Sequence, residues 1–355
     1  MNSYVVQFLR LLLLTIVFWI IAFSIFIFIR YFAIGSEEGV IVTTYHISDI
    51  LYFGVILGVL IGVIFTITEF LFDKFLSKNL SLALVLTEKF IIYLLSIILS
   101  LNYVYPLVEE ALNLNISNED GWWKESRHFW LLVGYFLVCS IIFSFIKIAN
   151  EKFGSGVFFN FLIGKYRNPK EEKRIFMFLD LQASTTIAEQ IGHYRYSELI
   201  QDCFYDLNRI VSKYNADIYQ YVGDEAVLSW KYKTGIKKNN CVELFFHFKS
   251  RIEKKQKRYL KKYGLVPKFK AGIHGGELIV TEVGSIKKEI AYHGDVINTC
   301  ARIQGECNKY NETLLCSNAI IHDLKLSSKF KTKYIGDLEL KGKEETLKIS
   351  AIKLN

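Results

Sequence analysis

Two short segments, each with an aspartate at the end of an apolar stretch, carry the most information in this sequence. Residues 178–185 read FLDLQAST and contain Asp180, and residues 221–225 read YVGDE and contain Asp224. An apolar strand is expected to run into a turn in both, and Gly223 allows the second turn to be tight. Two carboxylates held together suit a pair of divalent metal ions, which suits chemistry on phosphate groups. Taken singly, either aspartate could instead be an ordinary turn or cap residue.

Strands and helices alternate outward from these segments, beginning at residue 174. The period of the apolar residues and the positions of glycines predict six strands and three long helices. The strands are residues 175–181, 217–222, 225–230, 268–274, 277–283 and 289–293, and the helices are residues 185–214, 242–263 and 295–310. The order β-α-β-β-α-β is typical of a ferredoxin-like, palm-type sheet, so the predicted fold class of this part is α+β.

The first 150 residues differ sharply in composition. They contain four uncharged apolar runs, at residues 11–29, 50–68, 90–108 and 129–146. Each run is close to the roughly 20 residues that a helix needs to span a bilayer. We therefore predict an all-α domain of four transmembrane helices in residues 1–149, a connector in residues 150–173, and the α+β domain in residues 174–355. The first run is too long for a typical signal-peptide core and is interpreted as an uncleaved span.

The basic residues around the runs predict an orientation. Four spans place both termini on one side of the membrane, and lysine and arginine favour the cytoplasmic side. The basic residues on the side of the termini are Arg10, Lys74, Lys78, Lys89, Lys147 and Lys152. The sequence thus predicts a multi-pass protein of the cell membrane, embedded in the lipid bilayer, with both termini and the α+β domain in the cytoplasm.

The net charge bears on whether the protein binds nucleic acid or the membrane surface, and the cysteine spacing bears on the state of the thiols. The formal net charge is +8, and lysines cluster between residues 231 and 270 on a predicted solvated helix and its flanks. Attraction to the anionic inner leaflet explains this charge more simply than nucleic acid does, so no nucleic-acid partner is predicted. The six cysteines form no C-x-x-C pair, and they are interpreted as reduced thiols.

Two further motifs lie near the aspartates or downstream of them. Ala183, Ser184 and Thr185 begin the first long helix beside Asp180, and free N–H groups at a helix start suit triphosphate oxygens. Asn298 and Arg302 are four residues apart, so they share a face of the last predicted helix. An amide beside a guanidinium can orient a ribose and neutralise a phosphoryl group. An exposed polar helix face is the alternative for this pair.

Together these segments resemble the catalytic domain of the class III adenylyl and guanylyl cyclases. The matching stretches are residues 178–181, 221–224, 271–276, 294–302 and 340–342, and their order and spacing fit the whole of residues 174–355. The resemblance implies a head-to-tail homodimer with active sites at its interface. It also implies the reaction that converts ATP into 3′,5′-cyclic AMP and pyrophosphate, which makes adenylate cyclase the predicted function.

The resemblance assigns roles to individual residues. Asp180, Leu181 and Asp224 of one subunit are the predicted ligands of two Mg²⁺ or Mn²⁺ ions per site, which activate the ribose 3′-hydroxyl and stabilise the departing pyrophosphate. Asn298 and Arg302 are expected to come from the other subunit.

The substrate-contacting positions are less typical. Lys341 resembles a family lysine that contacts the triphosphate. The helix start at residues 183–185 is the other predicted triphosphate contact. Adenylyl cyclases of this class commonly have a lysine where this chain has Gln220, and an aspartate or threonine where it has Ala291. An amide can still pair with a purine edge, because it both donates and accepts hydrogen bonds. ATP is therefore the predicted substrate, and GTP is possible.

Other functions were weighed against this prediction. A guanylate cyclase, or a degenerate cyclase fold that only binds nucleotide, would also fit the atypical base-reading positions. A diguanylate cyclase is discounted, because residues 275–278 (GGEL) lack the second acidic residue and the phenylalanine of that signature. A channel or transporter is disfavoured because the four runs contain no charged residue.

Overall fold

A computed structural model of the chain describes residues 3–29, 46–71, 82–99, 127–153, 157–339 and 346–355, together with the single residues 32, 103, 107 and 110. The chain divides into two compact units, residues 1–149 and residues 150–355, and each is described by itself.

The N-terminal unit is helical. Its helices are α1 (Ser3–Ile29), α2 (Ile47–Leu71), α3 (Leu82–Leu99) and α4 (Arg127–Phe153). Among the described residues, three segments are long and apolar enough to cross a membrane, Leu11–Ile29, Gly54–Leu71 and Trp130–Asn150. The third predicted run, residues 90–108, begins inside α3, and most of its second half lies outside the described residues. Membrane anchoring is thus supported by three helices, and the count of four spans stays a prediction.

Helices α1 and α2 pack with their backbones in close approach. A Cβ atom added to Gly58 would lie 2.7 Å from the Cα atom of Ile20, and one added to Gly62 would lie 2.7 Å from the Cα atom of Ile16. Small residues four apart on one helix face allow this kind of contact between apolar helices.

The same unit contains a buried group of charges. In the sequence, Glu69, Lys89 and Lys147 stand at the edges of the apolar runs, but the structure turns them inward. The Glu69 side chain is fully buried, and those of Lys89 and Lys147 are 10% and 15% exposed. Lys89 Nζ lies 2.7 Å from Glu69 Oε2, and Lys147 and the Tyr93 hydroxyl also donate to this carboxylate. Charges are tolerated in such a place when they are paired.

Replacement of Glu69 by leucine should destabilise the helical unit. The change removes the carboxylate that both ammonium groups contact, at a cost on the order of 3 kcal/mol. Reversible unfolding of the full-length protein in mixed micelles measures the loss. Ser140→Ala is a control, because the Ser140 hydroxyl donates within its own helix, to the Phe136 carbonyl at 2.7 Å. Equal stability of the two variants would contradict the interpretation.

The described part of the C-terminal unit is built on an eight-stranded sheet. Its strands are β1 (Lys170–Leu181), β2 (Asp217–Val222), β3 (Glu225–Lys231), β4 (Phe269–Val283), β5 (Glu289–His293), β6 (Leu314–Ser317), β7 (Phe330–Glu339) and β8 (Thr346–Leu354). They are ordered β2-β3-β1-β4-β6-β8-β7, with β5 paired to β4. Strand β1 is antiparallel to both β3 and β4. The order β2-β3-β1-β4 is the ferredoxin-like arrangement, so the predicted α+β fold is confirmed.

Helices cover this sheet and lead into it. They are α5 (Val157–Leu162), α6 (Ser184–Ile191), α7 (His193–Val211), α8 (Tyr232–Ile236), α9 (Asn240–Lys254), α10 (Gln256–Tyr263), α11 (Asp295–Gly305) and α12 (Asn318–Asp323). All six cysteines are free and buried.

Both faces of β1 are buried, which explains its nearly continuous apolar sequence. Ile175, Met177 and Leu179 belong to the core that contains residues of α7 and α9. Phe176 and Phe178 belong to a second cluster with residues of α11. Because side chains alternate along a strand, Asp180 is directed toward the α11 face.

The glycines at positions 275 and 276 do not separate two strands, as the sequence had suggested. Both lie inside β4, where Gly275 pairs with Ile175 and Gly276 with Arg174. A Cβ atom on Gly275 would lie 2.8 Å from Ile320 Cδ1 and 2.9 Å from the Arg174 carbonyl oxygen. Glycine at these positions is therefore explained by the close approach of neighbouring groups and not by a break between two strands.

The predicted helices are also interrupted. Residues 185–214 contain α6 and α7, which meet at Gly192 with φ 79°. Residues 242–263 contain α9 and α10, separated at Lys255. The last predicted helix ends at Gly305, earlier than residue 310.

Helix α11 lies directly on β4 at Gly272. A Cβ atom there would be 2.4 Å from the Gln304 nitrogen and 2.8 Å from the Cys300 carbonyl oxygen. The Cys300 thiol contacts the carbonyl oxygens of Phe176 at 3.1 Å and of Gly272 at 3.3 Å. The position of α11 over β1 and β4 is thus set by the absence of a side chain at one residue.

Gly272→Ala should therefore destabilise the C-terminal unit, by about 1–3 kcal/mol, because backbone atoms of α11 must move. Thermal or denaturant unfolding of the full-length protein measures the effect. Gly305→Ala, at the end of α11, is the control, since a Cβ atom there meets nothing within 4 Å. A Gly272→Ala variant as stable as this control would show that α11 is loosely held.

Candidate active site

Asp180 is the next-to-last residue of β1, and both neighbouring strands place a charged residue opposite it. Its partner in β3 is Glu225, and its partner in β4 is Lys270. Lys270 Nζ lies 3.3 Å from Asp180 Oδ2. Gln304 of α11 donates from Nε2 to the same oxygen at 2.9 Å.

Asp224 lies in the turn between β2 and β3, where Gly223 has φ 60°. One of its carboxylate oxygens, Oδ2, is buried and has no hydrogen-bond partner among the described residues. The Tyr196 hydroxyl of α7 interacts with both Asp224 and Ser184. The turn thus directs a carboxylate back toward the end of β1.

The charges of this cluster act on one another. Burial raises the pKa of Asp180, and the charge of Asp224 adds to the rise, which Lys270 partly offsets. Burial and the charges of Asp180 and Asp224 raise the pKa of Glu225 to about 7. Burial, followed by the charge of Asp224, raises the pKa of Tyr196 to about 12. The structure therefore brings the two predicted metal-binding aspartates together, in a place where negative charge is in excess.

The donor set suits a divalent cation. A buried carboxylate oxygen without a partner, next to a second carboxylate, is the kind of oxygen site that Mg²⁺ or Mn²⁺ occupies. The Leu181 side chain is 1% exposed and packed in the core, so this residue could offer only its main chain. Among the described residues, no three His, Cys, Asp or Glu side chains are grouped to hold a metal ion. Further ligands would have to be water or substrate oxygens, as is usual for Mg²⁺.

The helix start that is predicted to bind phosphate comes three residues after the end of β1. Helix α6 begins at Ser184, and the preceding Ala183 has the left-handed φ of 55°. This conformation turns the chain sharply after β1. Ala183 and Thr185 are exposed and Ser184 is partly exposed, so the first turn of the helix is accessible.

Asn298 and Arg302 do lie on one face of α11, as predicted, and both are exposed. The opposite face is buried and includes Cys300 and Gln304. Within one chain, therefore, α11 presents Gln304 to Asp180 and directs the Asn298–Arg302 pair away from it.

The predicted base-reading residues lie on β2 and β5, which are not paired with each other in the sheet. Gln220 is exposed in β2, and Ala291 is partly buried in β5. The adjacent rings of Tyr219 and Tyr292 contact each other edge to face, with centroids 4.8 Å apart. Lys341 lies outside the described residues.

Comparison with known proteins agrees with this geometry. Residues 167–351, more than half of the chain, match the family described as the adenylate and guanylate cyclase catalytic domain. The chain belongs to this family. The cyclase domain therefore includes the sheet, both aspartates and α11.

Curated relatives are bacterial. The chain is 34% identical over 218 residues to adenylate cyclase 2 of Rhizobium meliloti (strain 1021), a match that covers 61% of this chain and 60% of that protein. It is 25% identical over 179 residues to adenylate cyclase 1 of the same organism, covering 49% of this chain and 26% of that protein. The chain thus spans less than two thirds of either relative.

A solved structure supports the fold. A bacterial light-regulated adenylyl cyclase superposes with a TM-score of 0.54 at 17% identity, covering 67% of this chain and 72% of that one. At this identity the similarity shows the cyclase fold alone.

Four residues of the site were not found from the sequence: Tyr196, Glu225, Lys270 and Gln304. Lys270 gave a signal, because a lysine within the apolar stretch of residues 269–273 needs a partner. Glu225 also gave a signal, because it directly follows the predicted metal ligand Asp224 in the sequence. Tyr196 and Gln304 gave none, since only the fold brings α7 and α11 to the ends of the strands.

The raised pKa of Glu225 predicts a pH dependence of stability in the metal-free protein. Its folded pKa of about 7 exceeds its ordinary value of 4.5, so its contribution to stability is present at low pH and is lost as pH rises through about 7. In EDTA, Glu225→Gln should therefore gain stability over wild type at pH 8, and gain clearly less at pH 5.5, because the loss accumulates between the two pKa values. Thermal unfolding at both pH values tests this, and a difference that does not change with pH would contradict it.

Proposed function

We propose that this chain is a membrane-anchored adenylate cyclase, which converts ATP into 3′,5′-cyclic AMP and pyrophosphate at sites shared by two copies of the chain. The observation that carries the proposal is the convergence of Asp180 and Asp224, one of them with a buried, unpartnered oxygen, at the open end of a cyclase-type sheet. A cluster with this excess of negative charge calls for cations, and nucleotide triphosphates are bound through cations.

The faces of α11 support a shared site. Asn298 and Arg302 are exposed and are directed away from the aspartates of their own chain, so they could serve only another chain's aspartates.

The residues divide the chemical work. Asp180 and Asp224 would hold two Mg²⁺ or Mn²⁺ ions, which supply activation of the ribose 3′-hydroxyl and charge neutralisation on the triphosphate. The accessible start of α6, at residues 183–185, offers N–H groups to phosphate oxygens. Lys270 offers a cation that can move from Asp180 to a phosphate.

The second chain would complete the transition state. Arg302 would neutralise charge on the α-phosphoryl group while the 3′-oxygen attacks it and pyrophosphate leaves. The Asn298 amide would orient the ribose and so contribute to catalysis by positioning the 3′-hydroxyl.

The choice of ATP rests on the curated relative, which is an adenylate cyclase with 34% identity. Gln220 can read a purine edge through its amide, whereas Ala291 has no polar side-chain atom. A guanylate cyclase is the alternative within the same reaction class. The site would have to face the cytoplasm, where nucleoside triphosphates are available, which agrees with the orientation predicted from the basic residues.

Activity of the full-length protein in lipid nanodiscs tests the proposal. Wild type should form cyclic AMP from ATP in the presence of Mg²⁺ or Mn²⁺, and Asp180→Ala or Asp224→Ala should reduce the rate to background. Arg302→Ala should lower kcat by about 100-fold or more, as loss of a charge-stabilising donor does elsewhere. GTP assayed in parallel separates the two cyclases.

Mixed dimers test the shared site. A chain with Asp180→Ala combined with a chain with Asn298→Ala should regain one intact site per dimer, while neither variant is active alone. No product from wild type with either nucleotide would overturn the proposal, and tight nucleotide binding without turnover would favour a degenerate receptor of the same fold.

A further inference from the structure

Helix α11 has a polar residue with a defined contact on its buried face as well as on its exposed one. Gln304 is 7% exposed and donates to Asp180 Oδ2 at 2.9 Å. It lies two residues beyond Arg302 on the same helix. One short helix thus touches a candidate metal ligand of its own chain with one face and carries the residues for another chain's site on the other.

The position of Gln304 is fixed by its backbone. The backbone nitrogen of Gln304 is the atom closest to where a Cβ of Gly272 would lie, at 2.4 Å. The Cys300 thiol, one turn earlier, is in contact with carbonyl oxygens of both β1 and β4. The amide of Gln304 is therefore presented to Asp180 from a support that is part of the sheet packing.

Gln304 and Lys270 differ in what they can do once cations arrive. Both contact the same oxygen of Asp180, which leaves Oδ1 outside this pair of contacts. Lys270 carries a charge that a divalent cation repels and a phosphate attracts, and its chain is long and flexible. Gln304 is neutral and has a shorter side chain, so neither a cation nor a phosphate would draw its amide away from Asp180.

We propose that Gln304 is a positioning residue: it holds Asp180 through Oδ2 so that Oδ1 is aimed at the metal, and it ties the metal site of one chain to the helix that completes the site of the partner. The inference rests on the proposed function, since it concerns the same shared site. Neutral partners of metal-binding side chains elsewhere change metal affinity by about 10- to 100-fold when removed.

Placement of the variant in a mixed dimer gives a directional test. In a dimer of an Asp180→Ala chain and an Asn298→Ala chain, the intact site takes Asp180 from the Asn298→Ala chain. Gln304→Leu added to that chain should raise the Mn²⁺ concentration for half-maximal activity about tenfold or more. The same substitution in the Asp180→Ala chain should leave it nearly unchanged, because that chain supplies only the exposed face of α11.

Thr299→Val is the matched control, because Thr299 is also buried in α11 but donates to Asp295, at 2.9 Å, within the helix. It should have little effect in either placement. Equal effects of Gln304→Leu in both placements, or none, would overturn the inference and would point to general support of α11. An inactive parent dimer would instead count against the shared site itself.

A second measurement needs no turnover. Mn²⁺ binding to the full-length homodimer, followed by electron paramagnetic resonance with 3′-deoxy-ATP present, should be weaker by about tenfold in Gln304→Leu than in wild type or Thr299→Val. Unfolding temperatures of the three proteins show whether each is folded. Unchanged Mn²⁺ affinity in folded Gln304→Leu would overturn the inference even if activity fell.

Discussion

The register of β1 between β3 and β4 is the constraint on which the site depends. In this register Asp180 stands opposite Glu225 on one side and Lys270 on the other. A slip by one residue would turn Asp180 into the core formed with α7 and α9, and would bring Leu179 to its place. The register is held by alternating large residues, with Met177 and Leu179 on one face and Phe176 and Phe178 on the other. The apolar residues of β1 thus place Asp180 at the end of the buried stretch.

The same register creates an electrostatic conflict that function can resolve. Three carboxylates approach one another around Lys270, and burial together with their mutual charge raises the pKa values of Asp180 and Glu225. A protein without ligands bears this cost in stability. Divalent cations and a triphosphate would remove it, because the cations neutralise the carboxylates and the phosphates attract Lys270. The conflict is therefore consistent with a site built for a charged complex.

Helix α11 shows how one packing contact can serve two tasks. Gly272 lets the helix touch the sheet, which brings Gln304 to Asp180. The amphipathic period of the helix then requires that Asn298 and Arg302 lie on the far side. In a two-fold dimer this single helix would link both sites, so a shift of Asp180 in one site would move Asn298 and Arg302 in the other.

Several features could be predicted from residues alone, and their limits have physical causes. Short-range patterns indicated the strands that carry Asp180 and Asp224 and the helix with Asn298 and Arg302, because periodicity and turn chemistry are local. Glycine gave an ambiguous signal: Gly192 does interrupt a helix with a positive φ, whereas Gly275 and Gly276 lie within a continuous strand. The difference depends on what packs against the glycine, which sequence does not contain.

The sequence by itself determined the apolar helices of the first half, the ferredoxin-like order of elements and the two aspartates, since each follows from composition or local pattern. Only the tertiary structure decided which groups surround those aspartates. Tyr196, Lys270 and Gln304 come from three separate elements, and strand pairing and helix packing bring them to one point. It also decided that Glu69, Lys89 and Lys147 form one buried cluster, because the residues that neutralise a charge inside a helical bundle are chosen by helix rotation and not by distance along the chain.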